Sequence, residues 1–320
     1  MADVVALGEL LIDFACLSSD ESGYPVMAAH PGGAPANFLA ALNQYGAQTA
    51  FLGKVGNDAF GKMLVRTLSE AGIETRGIVL DDAVFTTLAF VTLDETGNRS
   101  FSFARKPGAD TELQYDELDL SLIDDCKVFH FGTLSLTDSP ARETTRKAVA
   151  YAKEKGKMIT FDPNLRLPLW KDPEDAKKQM EWGLSQADIV KISDEEVEFL
   201  WGADAEEGAL KVLSDYGVKL VFVTCGAEGC VYQNRLAKGK LPSLKGVQVA
   251  DTTGAGDIFG GSAVSRILQK RKRPEEFTGE ELTEIVRFAT TAAGLSTEKP
   301  GGISSIPSFH TVMDRISRQS

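Results

Sequence analysis

The chain has 320 residues, 43% of them hydrophobic and 25% charged, an ordinary globular composition with material for a large core. Its 46 acidic and 34 basic residues give a net charge of -12, which excludes a global basic footprint for nucleic acid. No run approaches the ~20 apolar residues of a membrane span, and an anionic ligand must be held by local dipoles, a few placed cations or a metal.

Val4–Leu7 reads as a first strand. The first fifteen residues are apolar but contain Asp3, Glu9 and Asp13 and lack a basic start, so they do not form a signal peptide. Leu10–Ala29, with Tyr24-Pro25, reads as irregular. Pro31-Gly32-Gly33-Ala34-Pro35-Ala36-Asn37 is a Gly-Gly turn entering a helix with proline near its start. It allows close approach to a ligand. Asn37, one turn in, offers a donor and acceptors, and Asp13 adds an acceptor-only carboxylate. A tight turn with a helix cap explains the same residues.

The helical stretches Ala36–Tyr45 and Gly61–Ala71 flank a strand-like Thr49–Val55. Gly56-Asn57-Asp58-Ala59-Phe60-Gly61-Lys62-Met63 nearly spells a phosphate-binding loop, but Met63 stands where Ser or Thr must hold magnesium. Thr87–Leu93 and Arg99–Arg105, joined by Asp94–Asn98, predict a β-hairpin without a helix. It is either a surface excursion or a lid. Strand-like Val128–Phe131, Met158–Phe161, Ile189–Ile192 and Leu220–Thr224 then alternate with helical Ala141–Lys155 and Ala176–Leu184. This rhythm predicts a mostly parallel sheet covered on both faces, with ligands at the carboxyl ends of its strands. Lys270–Arg273 is a basic run that complements a helix dipole.

Cys16, Cys126, Cys225 and Cys230 match neither a redox pair nor a zinc knuckle and read as thiols of a reducing compartment, hence a cytoplasmic protein. His30, His130 and His310 are too scattered for a histidine metal site.

The segment richest in chemistry is Asp251-Thr252-Thr253-Gly254-Ala255-Gly256-Asp257, between a strand-like Val247–Ala250 and a helical Ile258–Leu268. Glycines at a strand-to-helix turn let backbone amides converge at a helix N-terminus, giving an anion hole built without a lysine. Asp257 in the first turn is either a capping carboxylate or a base beside that hole. Gly254-Ala255-Gly256 also opens like a dinucleotide fingerprint, but the third glycine falls at Phe259, so the spacing fails.

Taken together, Gly32–Gly56 and Asp251–Ser262 resemble the amino- and carboxyl-terminal signatures of the ribokinase-like (PfkB) carbohydrate kinase family, in the expected order. The resemblance covers essentially the whole chain. It implies one α/β/α sandwich over residues 1–320, with a central mostly parallel sheet and a β-sheet lid from about 10–30 and 84–110. It implies Asp257 as base, the Gly254, Ala255 and Gly256 amides as anion hole, and Asp13, Gly33 and Asn37 as holders of sugar hydroxyls. Asp162-Pro163-Asn164-Leu165-Arg166 resembles a family segment whose arginine stabilises phosphate charge or reaches substrate. Ser193-Asp194-Glu195-Glu196 resembles another, with Ser193 in place of its asparagine. Glu196 would organise magnesium through water. Thr224, Gly226 and Gly229 resemble the loop that contacts nucleotide phosphates, although a simple hairpin turn explains them too. Asp251 and Thr253, with groups around Gly301 and Ser305, would line the monovalent (potassium) site of some members.

Within the family the chain most resembles fructokinases, with Phe103 and Arg105 near the sugar. The implied reaction is transfer of the ATP γ-phosphoryl group to the 6-hydroxyl of D-fructose, with magnesium. A 2-keto-3-deoxygluconate kinase is the alternative, and a catalytically silent scaffold is a second. No nucleic-acid or membrane partner is expected, and a homodimer through the lid is compatible with the pattern.

Overall fold

The computed structural model describes residues 2–93 and 99–318, so the expected hairpin loop Asp94–Asn98 lies outside the described residues. In chain order the first half comprises β1 (Val4–Leu7), β2 (Leu11–Ser19), β3 (Pro25–Gly32), α1 (Ala34–Gln44), β4 (Thr49–Gly56), α2 (Ala59–Glu70), β5 (Ile78–Asp81), β6 (Leu88–Leu93), β7 (Arg99–Ala104) and α3 (Leu120–Asp125). There follow β8 (Val128–Gly132), α4 (Ala141–Glu154), β9 (Met158–Asp162), α5 (Pro173–Gln186), β10 (Ile189–Ser193), α6 (Asp194–Trp201), α7 (Ala205–Tyr216) and β11 (Leu220–Thr224). The chain closes with β12 (Cys230–Asn234), β13 (Lys238–Leu241), α8 (Ala255–Lys270), α9 (Gly279–Ser296) and α10 (Phe309–Ser317).

These strands form a nine-stranded sheet in the order β13-β12-β11-β10-β9-β8-β1-β4-β5. All neighbours are parallel except β11–β12 and β12–β13. The central strands are continuous apolar runs because both of their faces are covered. One face packs Phe129, Phe131, Phe161 and Val190 against α3 to α7. The other packs Phe51 and Val4 against α1 and α2, and Phe222 against α8 and α9. Each such side chain withdrawn from water contributes about 1.5–3 kcal/mol. His130 belongs to this packing. It stacks on Phe38 at 3.8 Å, and burial lowers its pKa to about 3, so it is a neutral core residue. Lys54, on β4, is likewise buried and pairs with Asp81 at 3.2 Å and Glu117 at 2.7 Å.

The near-match to a phosphate loop at Gly56–Met63 is a helix cap. Asp58 accepts the amides of Phe60 and Gly61 at 2.9 and 2.8 Å and so starts α2.

A second sheet, ordered β3-β2-β6-β7, stands apart from the first. Leu10–Ala29, read as irregular in the sequence, contributes β2 and most of β3. Its polar, exposed distal part hides the period-2 pattern that the pairing of Leu11 with Gly32 and Asp13 with His30 reveals. Register fixes which side chains share a face. Asp13 lies beside His30 on β3 and Ala89 on β6, and Ala89 lies beside Phe103 on β7. The row His30–Asp13–Ala89–Phe103 therefore looks one way. Phe14 and Phe90, stacked at 5.3 Å, look the other way, onto Phe60 of α2.

The chain crosses between the sheets over a buried polar cluster. Glu9, just after β1, accepts the Ala34 amide at 2.9 Å and so ties the entrance of the second sheet to its exit. Gly33 permits that exit with φ +121°, where a β-carbon would strike the Glu9 carbonyl. Burial raises the Glu9 pKa to about 7, although the Arg105 charge and the backbone amides oppose it.

Candidate active site

The site assembles at the carboxyl ends of β1, β9, β10 and β11, capped by the N-terminus of α8. Gly254, the residue before α8, sits at φ +76°, a left-handed conformation that glycine adopts without strain. It brings no side chain to cap the helix, so the first-turn amides face the cleft. The Ala255 amide reaches the Thr252 carbonyl only at 3.3 Å, and Gly256 and Asp257 continue the turn. The expected strand Val247–Ala250 is not formed. That segment is a loop whose Ala250 and Asp251 amides donate to the Thr297 carbonyl at 2.8 and 3.0 Å. Local β propensity is overridden here, because these amides bond to the end of α9 instead of to a strand.

Asp257 stands in the first turn of α8, and Asn37 of α1 donates to its Oδ2 at 2.9 Å. Burial raises the Asp257 pKa, while the Asn37 hydrogen bond and the charges of Lys191 and Arg166 pull it down and Glu196 pushes it up. Asn37 itself is buried and clasped between two glycines. A β-carbon on Gly254 would lie 3.0 Å from its Nδ2 and one on Gly302 2.2 Å from its Oδ1. Among the described residues, Asn37 Oδ1 has no hydrogen-bond partner. An orphaned buried acceptor costs about 1–3 kcal/mol. A hydroxyl donor from a ligand removes that cost.

Asp13 faces the same space from the second sheet. Burial raises its pKa to about 6, Arg166 lowers it, and Asp257 and Asp251 raise it further. Arg166 thus acts on the carboxylates of both sheets. Asp251 ties the far side together, taking the Thr253 amide and hydroxyl on Oδ1 at 2.9 and 2.7 Å and the Gly301 amide on Oδ2 at 2.9 Å. His30 faces the cleft beside Asp13, its Nδ1 3.9 Å from a β-carbon built on Gly301.

Ser193 and Thr224 end adjacent strands in register. Ser193 Oγ accepts the Glu196 amide at 3.2 Å, and Glu196 Oε2 accepts the Ser193 amide at 2.8 Å, a capping box for α6. Glu196 Oε1 also takes the Leu165 amide at 2.7 Å and so positions the Asn164–Arg166 turn. The segment Thr224–Gly229 is a hairpin turn between β11 and β12, closed by Cys225 N donating to Gly229 O at 2.8 Å, with Gly226 and Gly229 both at positive φ.

Two details go beyond the sequence reading. Arg105, expected near the sugar, is held in a buried network. Its side chain is 3% exposed and its donors are spent on Asp110 (2.8 and 2.6 Å), Thr137 Oγ1 (2.9 Å) and the Leu134 carbonyl (2.8 Å). Thr87 also donates to Asp110. A guanidinium beneath the crossings between the sheets has no water to face, so it gathers every acceptor within reach. Secondly, the anion hole does have a lysine beside it. Lys191 of β10 donates to both oxygens of Asp162 at 3.1 Å, and a β-carbon on Gly256 would lie 3.0 Å from its Nζ. Sequence reading missed this pair. The available signal was a lysine inside the apolar run Ile189–Ser193, where a central strand demands a buried partner.

Among the described residues no group of three or more Asp, Glu, His or Cys converges to cage a metal. A magnesium ion carried by a nucleotide keeps several waters and takes phosphates with one or two carboxylates. Glu196, within electrostatic reach of Asp162, would offer such a carboxylate beside the first turn of α8.

A helix N-terminus with a carboxylate in its first turn, cations close by and a second sheet facing it fits a phosphoryl-transfer site in a ribokinase-like α/β/α fold. The chain belongs to the pfkB family of carbohydrate kinases, which matches residues 1–308. It is 42% identical over 321 residues to Fructokinase-1 of Zea mays, covering 98% of each chain. A fructokinase from Xylella fastidiosa solved with bound ATP superposes with a TM-score of 0.91 at 32% identity, covering 100% of this chain and 99% of that one. A fructokinase from Vibrio cholerae solved with fructose, ADP and calcium superposes with a TM-score of 0.86 at 32% identity, covering 98% of each.

Proposed function

We propose that this carbohydrate kinase transfers the γ-phosphoryl group of ATP to the 6-hydroxyl of D-fructose, giving fructose 6-phosphate and ADP. The observation that carries the reading is Asp257, set in the first turn of α8 within reach of both its amides and the lid carboxylate Asp13. The similarity to fructokinases across 98% of the chain supports the choice of sugar.

Asp13 and the orphaned Asn37 Oδ1 accept sugar hydroxyls, and Phe103 covers the ring from the inward row of the lid. Asn37 Nδ2 holds the Asp257 carboxylate so that a free lone pair faces the primary hydroxyl. As that oxygen bonds to the γ-phosphorus, the bond from phosphorus to the β-phosphate oxygen breaks. The hydroxyl proton passes to Asp257, and ADP leaves with the bonding pair. The α8 amides and the Arg166 charge hold the charge on the phosphoryl oxygens. Magnesium bound with ATP would neutralise part of the phosphate charge, and Glu196 would hold its waters. The hairpin turn Thr224–Gly229 and Ser193 line the nucleotide side, and Asp251 with Thr253 sits where a monovalent cation would back the hole.

Asp257→Asn tests the base directly. Turnover should drop by about 10³-fold or more while calorimetry still detects fructose and Mg-ATP binding. Near-normal turnover in that variant would remove Asp257 from the mechanism.

A further inference from the structure

Lys191 is a charged group that the mechanism above does not use. It is 12% exposed, and its partner Asp162 is 8% exposed. Burial works against its charge, but Asp162, Glu196 and Asp257 outweigh that and raise its pKa, so it stays protonated. An ammonium has three donors. Among the described residues, its hydrogen bonds go only to the two oxygens of Asp162. The ammonium lies against Gly256, in the first turn of α8 next to the base. An ion pair kept only for stability gains little over an apolar replacement of similar volume. A pair whose cation abuts a helix N-terminus that must receive a phosphoryl group has a further use.

We propose that Lys191 is the positioning cation of phosphoryl transfer, acting through Asp257 and the first turn of α8 to keep the base ionised and the anion hole positive. Asp162 sets its strength by anchoring it and drawing off part of its field. The charged groups around Asp257 are Lys191 from β10, Arg166 from the turn after β9, Glu196 from α6 and Asp13 from the lid, with Asp162 behind Lys191. Of these, Lys191 and Arg166 are the cations. Arg166 also serves Asp13, whereas Lys191 serves the floor of the site.

The inference rests on Asp257 as base and is tested with the full-length enzyme by the pH dependence of kcat at saturating Mg-ATP and fructose. The wild-type rate should fall on the acid side as Asp257 takes up a proton. Lys191→Met removes the cation at nearly constant volume. It should move that limb up by about one pH unit and lower kcat about tenfold or more, with KM for fructose within about threefold. Asp162→Asn frees the cation and should move the limb the opposite way, to lower pH. A purely structural pair predicts lower thermal stability in both variants with the limb unmoved, and that result overturns the proposal. If Lys191→Met fails to fold, Lys191→Gln keeps a hydrogen-bond donor for Asp162 without the charge, and an unshifted limb in that variant overturns it equally. A wild-type enzyme inactive on fructose would strike at the proposed function instead, and the same profiles would then be read with the sugar it does use.

Discussion

Two clusters of buried charge lie along the lid, and they differ in how completely they are satisfied. In the hinge cluster, Arg105 delivers its donors to Asp110, Thr137 and Leu134, and Thr87 fills Asp110 from the other side. In the candidate-site cluster, among the described residues, Asn37 Oδ1 has no partner, Lys191 hydrogen-bonds through Asp162 alone, and the α8 turn lacks a capping side chain. Equal burial therefore accompanies opposite functions. On the function proposed above, the more fully bonded network holds the crossings between the sheets, and the open one receives hydroxyls and phosphates.

The sharpest way to break this comparison is to unbalance the saturated cluster. Arg105→Met leaves Asp110 buried without its cation and should cost about 3–5 kcal/mol in denaturant unfolding. If Arg105 contacts the sugar instead, stability should hold while KM for fructose rises steeply.

A smaller effect is expected in the unsaturated cluster. Asn37→Ala deletes the hydrogen bond to Asp257 and the orphaned acceptor. We expect kcat/KM for fructose to fall about 10- to 100-fold, with unfolding stability unchanged or slightly higher because an unpaired polar atom has gone. A loss of stability without a kinetic change would move Asn37 to the structural side.

The smallest effect concerns Glu9, which joins the crossings. Its folded pKa of about 7 exceeds the ordinary 4.5, so the folded state holds a proton that the unfolded chain has released between those values. The Glu9 contribution is therefore fully present below pH 4.5 and is lost as pH rises toward 7. Glu9→Gln keeps the acceptor for Ala34 without the charge. Relative to wild type it should gain on the order of 1–3 kcal/mol between pH 4.5 and 7. A difference that does not change with pH would show Glu9 to be ionised throughout.

The parallel sheet was legible in the sequence because strands such as Val4–Leu7 and Leu220–Thr224 are apolar on both faces and match the observed limits. The Asp251–Asp257 turn was legible because Gly254 takes the positive φ that glycine adopts without strain. The lid's first hairpin was not, since much of β2 and β3 is exposed and carries no core pattern. Lys191, Asp162 and the fate of Arg105 were hidden for a different reason. The Lys191–Asp162 pair spans 29 residues and Arg105–Thr137 spans 32, which no local pattern encodes, although Arg105 and Asp110 are five apart. A charge in a buried strand signals that a partner exists without saying which one.

The most direct test of the account is coupled ADP release with magnesium across fructose, ribose and 2-keto-3-deoxygluconate. A kcat/KM for fructose at least about tenfold above each of the others, a margin of about 1.4 kcal/mol, is the expected result. A preference for the keto acid would keep Asp257 and the anion hole but contradict the assignment of the sugar, and silence on all three would contradict the proposed activity.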